Sequence, residues 1–572
     1  VARKRRNIGR IRPDDAPPGP EEPRPAAEPH PPAETRPAEE FPAEKRSTAE
    51  VRAATPTPYL DSIDPSTGDI IGRFETTTAG EMSRVVEHAR SAQREWALVP
   101  LPERARRLDR LAEVLQSRRR EIAEVVTREN GKPLAESLFA EILVSIDAVR
   151  WHARHAPRLL APERVGYHNP VFKGKKGWLE YEPHGVVGVI SPWNYPFAIP
   201  LTAVVPAVVA GNAVVVKPSE LVPWCGALLG EVFDQAGFPT DLVQVIQGPG
   251  ELGAALIDAG PDKILFTGSV ATGRRVAQAC AERLIPSVLE LGGKDAMIVL
   301  SDADLETASS AAVWGGFTNC GQACLSVERI YAEPGIADRF TARCVEKTRA
   351  LRLGSGLDPN VDIGPMIRPR QIERVERQLE DAVARGARIL TGGHRRPDLG
   401  PHFFEPTVVT NVNASMLLMR EETFGPVLAI AAVPGADEAV RLANDSPFGL
   451  GASVWTGDRA RGAALARRLH SGSATVNDVL SCYGISEAPH GGRGQSGWGR
   501  THSRLGLLEM VQVKYVDVDR FPRGVKPWWF PYGPGAAELA EAVLDALFGA
   551  GAKVRWRGIR EAWRRYRARP RG

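Results

Sequence analysis

The sequence predicts an α/β fold with doubly wound parallel sheets, on three observations. From Gly185 onward, short β-rich runs at residues 186–190, 213–216, 243–246, 263–266 and 287–289 alternate with helical stretches, the signature of parallel βαβ units. A second stretch, 296–500, repeats the pattern with runs at 296–300, 329–332, 387–390, 427–432 and 473–476. The third is length: 572 residues exceed one ordinary core and call for two or three domains of roughly 100–250 residues each.

In chain order, residues 1–57 cluster Pro, Ala and Glu, with Phe41 as their only aromatic, and read as a disordered tail. Order begins near Tyr59. There Asp64-Pro65-Ser66-Thr67-Gly68 makes a turn between two short apolar runs, a hairpin signal. Helical periodicity dominates 79–156, as in Leu108, Leu111, Leu115 and Ile122. Residues 167–181, polar with Tyr167, Phe172, Trp178 and Tyr181, suit an exposed hairpin better than a core element.

Charge and cysteines bound the function. Lys and Arg number 73 against 69 Asp and Glu, a net +4. Residues 549–572 hold nine of those cations against the single acid Glu561, so the remaining body is slightly acidic. That argues against a nucleic-acid groove and leaves the tail needing its own explanation. Six cysteines, at 225, 280, 320, 324, 344 and 482, are too scattered for a secreted disulfide framework, so a reducing, cytoplasmic compartment is expected. Cys320 and Cys324 stand four apart, but no further Cys or His pair follows at zinc-like spacing, and no metal site is expected. No run of about eighteen apolar residues indicates a transmembrane helix. Arg3-Lys4-Arg5-Arg6 is followed by Pro and Glu, unlike a secretory signal.

The octet Phe317-Thr318-Asn319-Cys320-Gly321-Gln322-Ala323-Cys324 follows Glu290-Leu291-Gly292-Gly293-Lys294 within one α/β stretch, pairing a candidate thiol nucleophile with a candidate carboxylate base. Read alone, a cysteine such as Cys324 is more often a small packed hydrophobe than a nucleophile, and Glu290 more often a solvated strand end than a base. Gly321 and Gln322 give a permissive backbone entry, and a thiol at such a turn or at a helix start has its thiolate favoured by unpaired N–H groups. Phe266-Thr267-Gly268-Ser269 leads through Gly273 into a helix, where small residues and free N–H groups suit a pyrophosphate. Lys217-Pro218-Ser219-Glu220 ends a strand-like run, at the edge where doubly wound sheets bind nucleotides.

Together these motifs resemble the aldehyde dehydrogenase superfamily over about residues 58–516. Pro192-Trp193-Asn194-Tyr195-Pro196, Lys217-Pro218-Ser219-Glu220, Phe266-Thr267-Gly268-Ser269, Glu290-Leu291-Gly292-Gly293-Lys294, the Cys324 octet and Glu422-Thr423-Phe424-Gly425-Pro426 occur in family order. The resemblance implies a Rossmann-type cofactor domain at 58–163 and 182–292, a catalytic domain at 293–500, and a small β oligomerisation element at 164–181 and 501–516 that pairs subunits into a homodimer or homotetramer. It implies that Cys324 attacks an aldehyde, that the Asn194 amide and the Cys324 N–H hold the oxyanion, and that Glu290 activates the water that hydrolyses the thioester left after hydride transfer. Lys217 and Glu220 are implied at the adenine ribose, with Ser219 in the same tetrapeptide; Gly268 and Ser269 at the pyrophosphate; Glu422 at the nicotinamide ribose; Phe424 near the nicotinamide; and Trp193 also among the cofactor-binding residues. Glu220 favours a free 2′-hydroxyl and hence NAD, while Lys217 keeps NADP open. Residues 474–501 resemble the fatty-aldehyde, class 3 branch, which takes apolar medium to long aldehydes. His490 departs from it, since Phe usually sits there, and so does Cys320, a second thiol that packs or bridges. The alternatives are a CoA-acylating semialdehyde dehydrogenase, against which Glu290 counts, and a catalytically idle membrane-associated scaffold.

The extension 517–572 carries Pro527-Trp528-Trp529-Phe530-Pro531-Tyr532, then Leu539, Val543 and Leu547 on one face of about thirteen helical residues, too short to span a bilayer. Trp556, Ile559, Trp563 and Tyr566 repeat at helical steps, as do Arg557, Arg560, Arg564, Arg567 and Arg571 on another face. That is the layout of an interfacial helix, so residues 536–572 are expected either at an anionic membrane surface, peripheral on its inner face, or packed on protein.

Overall fold

Strand order explains where a site can form. The structure, a computed structural model, describes residues 58–521, 526–530 and 532–568; the tail reading for 1–57 and the Arg571 step lie outside the described residues. One sheet runs Gly497–Trp498, Ser287–Glu290, Lys263–Thr267, Val186–Ile190, Ala213–Lys217, Val243–Val245. All neighbours are parallel except the two-residue edge Gly497–Trp498. The chain begins at Val186–Ile190, winds outward to Val243–Val245, then returns to Lys263–Thr267 on the other side. This reversal puts a topological switch point beyond Ile190 and Thr267, where doubly wound sheets open a crevice. The strands Val186–Ile190 and Ala213–Lys217 and the helix Ala198–Ala210 between them are apolar and almost wholly buried, as a sheet covered on both faces requires.

The second sheet runs Arg388–Thr391, Thr407–Thr410, Val427–Ala432, Val327–Ala332, Asp295–Val299, Ala452–Trp455, Thr475–Val476, parallel apart from its first pair. Residues 291–294 carry the chain from one sheet to the other. A third, antiparallel sheet joins Glu163–Val165, Lys175–Pro183 and Val511–Asp519. Tyr59–Ile63 and Ile70–Glu75 form the expected hairpin, with Gly68 at φ 85° in its turn.

The helical stretch resolves into Met82–Leu98, Leu101–Asn130 and Val144–Leu159, with Leu108, Leu111, Leu115 and Ile122 fully buried. Between the last two helices, Ser137–Leu143 is π-helical, a widening common near functional sites. At the far end Ala536–Phe548 and Ala552–Ala568 pack as a helical hairpin. Gly558 makes that close approach possible: a Cβ there would lie 2.4 Å from the Ala546 nitrogen.

Candidate active site

Glu290 is the last residue of its strand, and the glycines after it let three segments converge. A Cβ on Gly292 would sit 2.5 Å from Glu422 Oε1, and one on Gly293 would sit 2.2 Å from the Cys324 carbonyl oxygen. A Cβ on Gly321 would fall 2.2 Å from the Gly425 carbonyl oxygen. The motif glycines therefore dock the Glu290, Cys324 and Glu422 segments backbone to backbone.

Cys324 lies in a turn, not at a helix start; before it Asn319, Cys320 and Gly321 have φ of 50°, 55° and 71°. Left-handed backbone at two non-glycine residues is costly and persists only where surroundings hold it. Glu136 does so, accepting from the Asn319 N–H at 2.8 Å and the Thr318 hydroxyl at 3.0 Å. Asn319 Nδ2 donates to the Asn194 carbonyl at 2.8 Å, and Asn194 Nδ2 to the Gln322 carbonyl at 3.0 Å. One Asn194 amide hydrogen is thus spoken for and the second is left over. The Cys324 N–H has no acceptor among the described residues.

Behind this loop lies a buried ion pair that sequence reading missed. Lys132 Nζ meets Glu141 Oε1 at 2.6 Å with both side chains fully buried, donates to the Asn194 carbonyl at 2.8 Å, and stands 3.9 Å from the centre of the Tyr195 ring. Glu141 Oε2 accepts the Phe197 and Ala198 N–H groups, so the pair ties the π-helical turn to the Asn194 segment. In sequence these charges read as an ordinary helical face. Gly131-Lys132-Pro133, a basic residue held between two helix breakers, was the available signal.

Cys324 is half-buried, and burial, aided by the Asp295, Glu422 and Glu290 carboxyls, pushes its thiol well up. Cys320 is a free, buried thiol in the core of the second sheet, so it packs. Glu290 is 6% exposed, and neither oxygen has a hydrogen-bond partner among the described residues. Burial raises its carboxyl far above the usual range, opposed by the Arg500 charge. His490 Nε2 stands 3.7 Å from Glu290 Oε2, and burial keeps that imidazole neutral, down at about 4. A small cavity of about 30 Å³, room for a water, is lined by Glu290, Cys324, Tyr483 and His490.

A larger cavity of about 230 Å³ reaches Cys324 from the other side. Phe139, Val144, Tyr195, Ile199, Trp314 and Leu480 are among its walls, and no charged side chain is. Phe139 and Trp314 are exposed at its rim.

The remaining sequence-predicted residues gather at the switch point. Lys217, 3% exposed at its strand end, pairs with Glu220 Oε2 at 3.3 Å. Ser219 is buried beside them, its hydroxyl accepting the Leu221 N–H. Gly268 donates its N–H to the Glu290 carbonyl, and exposed Ser269 caps the helix Val270–Glu282 by accepting the Thr272 N–H. Glu422 Oε1 accepts the Gly293 N–H at 3.0 Å, and burial lifts its carboxyl to about 7. Trp193 and Phe424 meet edge to face with ring centres 5.4 Å apart. Lys217 and Ser269 thus stand at the carboxyl ends of strands of the first sheet, and an ammonium, a capped helix N-terminus and a carboxylate are groups able to meet the riboses and pyrophosphate of a dinucleotide.

Residues 51–516 match the profile of the aldehyde dehydrogenase family. A Mycolicibacterium smegmatis protein named "Putative succinate-semialdehyde dehydrogenase", NADP(+) form, is 42% identical over 456 residues, 79% of this chain and 87% of its own length. The 4,4'-diapolycopene aldehyde oxidase of a Methylomonas species is 38% identical over 494 residues, 86% of this chain and 91% of its own. Among solved structures, an aldehyde dehydrogenase from Bacillus cereus in complex with NAD+ superimposes with a TM-score of 0.77 at 32% identity, covering 81% of this chain and 93% of that one.

Proposed function

The chain belongs to the aldehyde dehydrogenase family, and on that premise we propose that it oxidises apolar aldehydes to carboxylic acids through a thioester on Cys324, with NAD(P) as acceptor. As a family member it is an oxidoreductase acting on aldehydes. The observation that carries the substrate class is the uncharged, aromatic cavity leading to Cys324. A dicarboxylate precursor such as succinate semialdehyde would bury its own carboxylate there without a cation to meet it. An alkyl chain gains about 0.8 kcal/mol per methylene buried.

In this reading the Cys324 sulfur adds to the carbonyl carbon while its proton leaves toward Glu290. The free Asn194 amide hydrogen and the Cys324 N–H receive the oxyanion. The bound dinucleotide supplies the two-electron acceptor for oxidation of the adduct to the thioester. Trp193, Lys217, Ser219, Glu220, Gly268 and Ser269, within a cofactor region formed by 58–163 and 182–292, would hold it, with Glu422 and Phe424 reaching it from the catalytic region 293–500. Glu290, with its unpartnered carboxyl beside a water-sized cavity, then takes a proton from water as the water attacks the thioester. This role for Glu290 counts against a CoA-acylating enzyme, and the full constellation counts against an idle scaffold.

The test is a series of straight-chain aldehydes alongside succinate semialdehyde, each with NAD and NADP. The expected kcat/KM climbs with chain length, about fourfold per methylene while the cavity fills. A preference for succinate semialdehyde over the longer aldehydes would overturn the substrate class.

A second reading concerns the C-terminal hairpin. Trp556, Ile559, Trp563 and Tyr566 are all exposed; Ile559, Trp563 and Tyr566, with exposed Trp528 and Tyr532, line an apolar groove of about 1130 Å³. Arg557, Arg560, Arg564 and Arg567 are exposed on the same helix. This supports peripheral binding to an anionic membrane. Exposed Val513, Tyr515 and Val518 on Val511–Asp519 likewise support pairing of that sheet between subunits.

A further inference from the structure

Hydrolysis of the acyl group on Cys324 needs one water placed between the thioester carbon and Glu290. The water oxygen bonds to that carbon, one water hydrogen passes to Glu290 and the other stays on the product acid. The carbon–sulfur bond then breaks, its electron pair leaves with Cys324, and Glu290 returns the proton to the thiolate. Glu290 does not hold the water unaided, because neither of its oxygens is fixed by a hydrogen bond among the described residues. Arg500, whose charge acts on Glu290, donates from Nη1 to the Gly492 and Gly499 carbonyls at 3.1 and 2.6 Å.

We propose that His490 holds the hydrolytic water jointly with Glu290, its Nε2–H donating to the water oxygen while the water donates to the carboxylate; the proposal rests on the base role given to Glu290 above. The geometry is local and held on several sides. His490 Nε2 stands 3.7 Å from Glu290 Oε2, beyond a direct hydrogen bond and at a spacing that a shared water bridges. Next to it Gly491, at φ 148°, lets the backbone pass the other oxygen: a Cβ there would sit 2.9 Å from Glu290 Oε1. The N–H groups of His490 and Thr501 each donate to the other's carbonyl at 2.9 Å, which anchors the segment. The Tyr483 ring meets the imidazole edge to face at 5.0 Å, and Tyr483 Oη lies 3.3 Å from Thr202 Oγ1.

The cavity decides between positioning and packing. Its 30 Å³, bordered by Glu290, His490 and Cys324, admits one water, which needs two to four polar partners. The side chains of Val189, Leu265, Phe266 and Val288 on the same wall offer none. An ionised carboxylate only accepts, so a neutral imidazole supplies the donor that the water oxygen still lacks. Burial keeps His490 neutral, down at about 4, with Arg500 adding to the shift, so at neutral pH it carries one hydrogen and keeps it through the step. His502, with ring centres 6.0 Å away, and Tyr483 are the other titratable rings against it. A phenylalanine ring would pack on Tyr483 without burying two polar nitrogens, so packing alone gives no reason for a histidine that is 4% exposed.

The test compares His490→Phe and His490→Gln in the full-length enzyme, by rapid quench with a straight-chain aldehyde and NAD or NADP. His490→Phe is expected to keep the first-turnover burst of reduced dinucleotide, to accumulate acyl-Cys324, and to lower kcat about tenfold or more while kcat/KM, set by acylation, is little changed. His490→Gln restores an N–H donor and should recover most of the steady rate. If the phenylalanine variant does not fold, His490→Leu carries the same expectation. Parental kcat in the folded variant, an equal fall of kcat and kcat/KM, or a glutamine variant as slow as the phenylalanine one would overturn the role. Glu290→Gln run alongside separates the two readings: slow hydrolysis there with parental hydrolysis in His490→Phe removes His490 alone, and parental hydrolysis in Glu290→Gln removes the base itself.

Discussion

Cys324 and Glu290 share one electrostatic difficulty: burial keeps both neutral, although one must become a thiolate and the other a base. A raised carboxyl is ionised only as pH climbs through its elevated value, so kcat should increase with pH through the neutral and alkaline range, beyond where an ordinary carboxylate has finished titrating. Arg500 opposes the shift at Glu290, and Arg500→Gln should move that limb to still higher pH; an unmoved limb in the pH–rate profile would remove Glu290 from it. Cys324→Ser should lower aldehyde oxidation at least a thousandfold, whereas Glu290→Gln should keep a first-turnover burst of reduced dinucleotide and slow the steady rate about a hundredfold or more, as rapid-quench kinetics would report. These two residues were singled out in the sequence by the ordered set of motifs around them, since either alone reads as a packed thiol or a strand-end carboxylate. The approach of His490 to Glu290 was not legible, since the two stand far apart in the chain and only the fold brings them to 3.7 Å.

Elements hold the chemistry in place through contacts that pattern alone does not reveal. The longer strands with apolar, buried runs were legible, and the C-terminal helices too. Thr407–Thr410 and Ala452–Trp455 were not, because four residues of mixed polarity give no period to read; both are strands only because they complete the second sheet. The π-helical turn Ser137–Leu143 was equally silent, though it puts Phe139 and Ala140 on the cavity wall and Glu141 under Lys132. Lys132→Met leaves Glu141 buried without its cation, and should cost about 3–5 kcal/mol of stability, read as a lower unfolding midpoint in denaturant. It should also release the Asn194 segment, so activity should fall further than the folded fraction does.

At the scale of the whole molecule, two largely parallel sheets joined through residues 291–294 carry Glu290 and the Cys324 segment, and the helical hairpin beyond them lines an apolar groove of its own. A chain ending at Arg520, just past the strand Val511–Asp519, should keep its kcat on soluble short aldehydes within about twofold and lose co-sedimentation with anionic vesicles; equal vesicle binding by both chains would dismiss the membrane reading. The central claim is chemical and can be weighed directly. Full-length enzyme quenched during turnover of a long-chain aldehyde should gain the mass of one acyl group, and fragmentation should put it on Cys324 and leave Cys320, buried in the same stretch of chain, unmodified. An acyl group found on another residue, or an unmodified protein under conditions where reduced dinucleotide accumulates, would contradict the account.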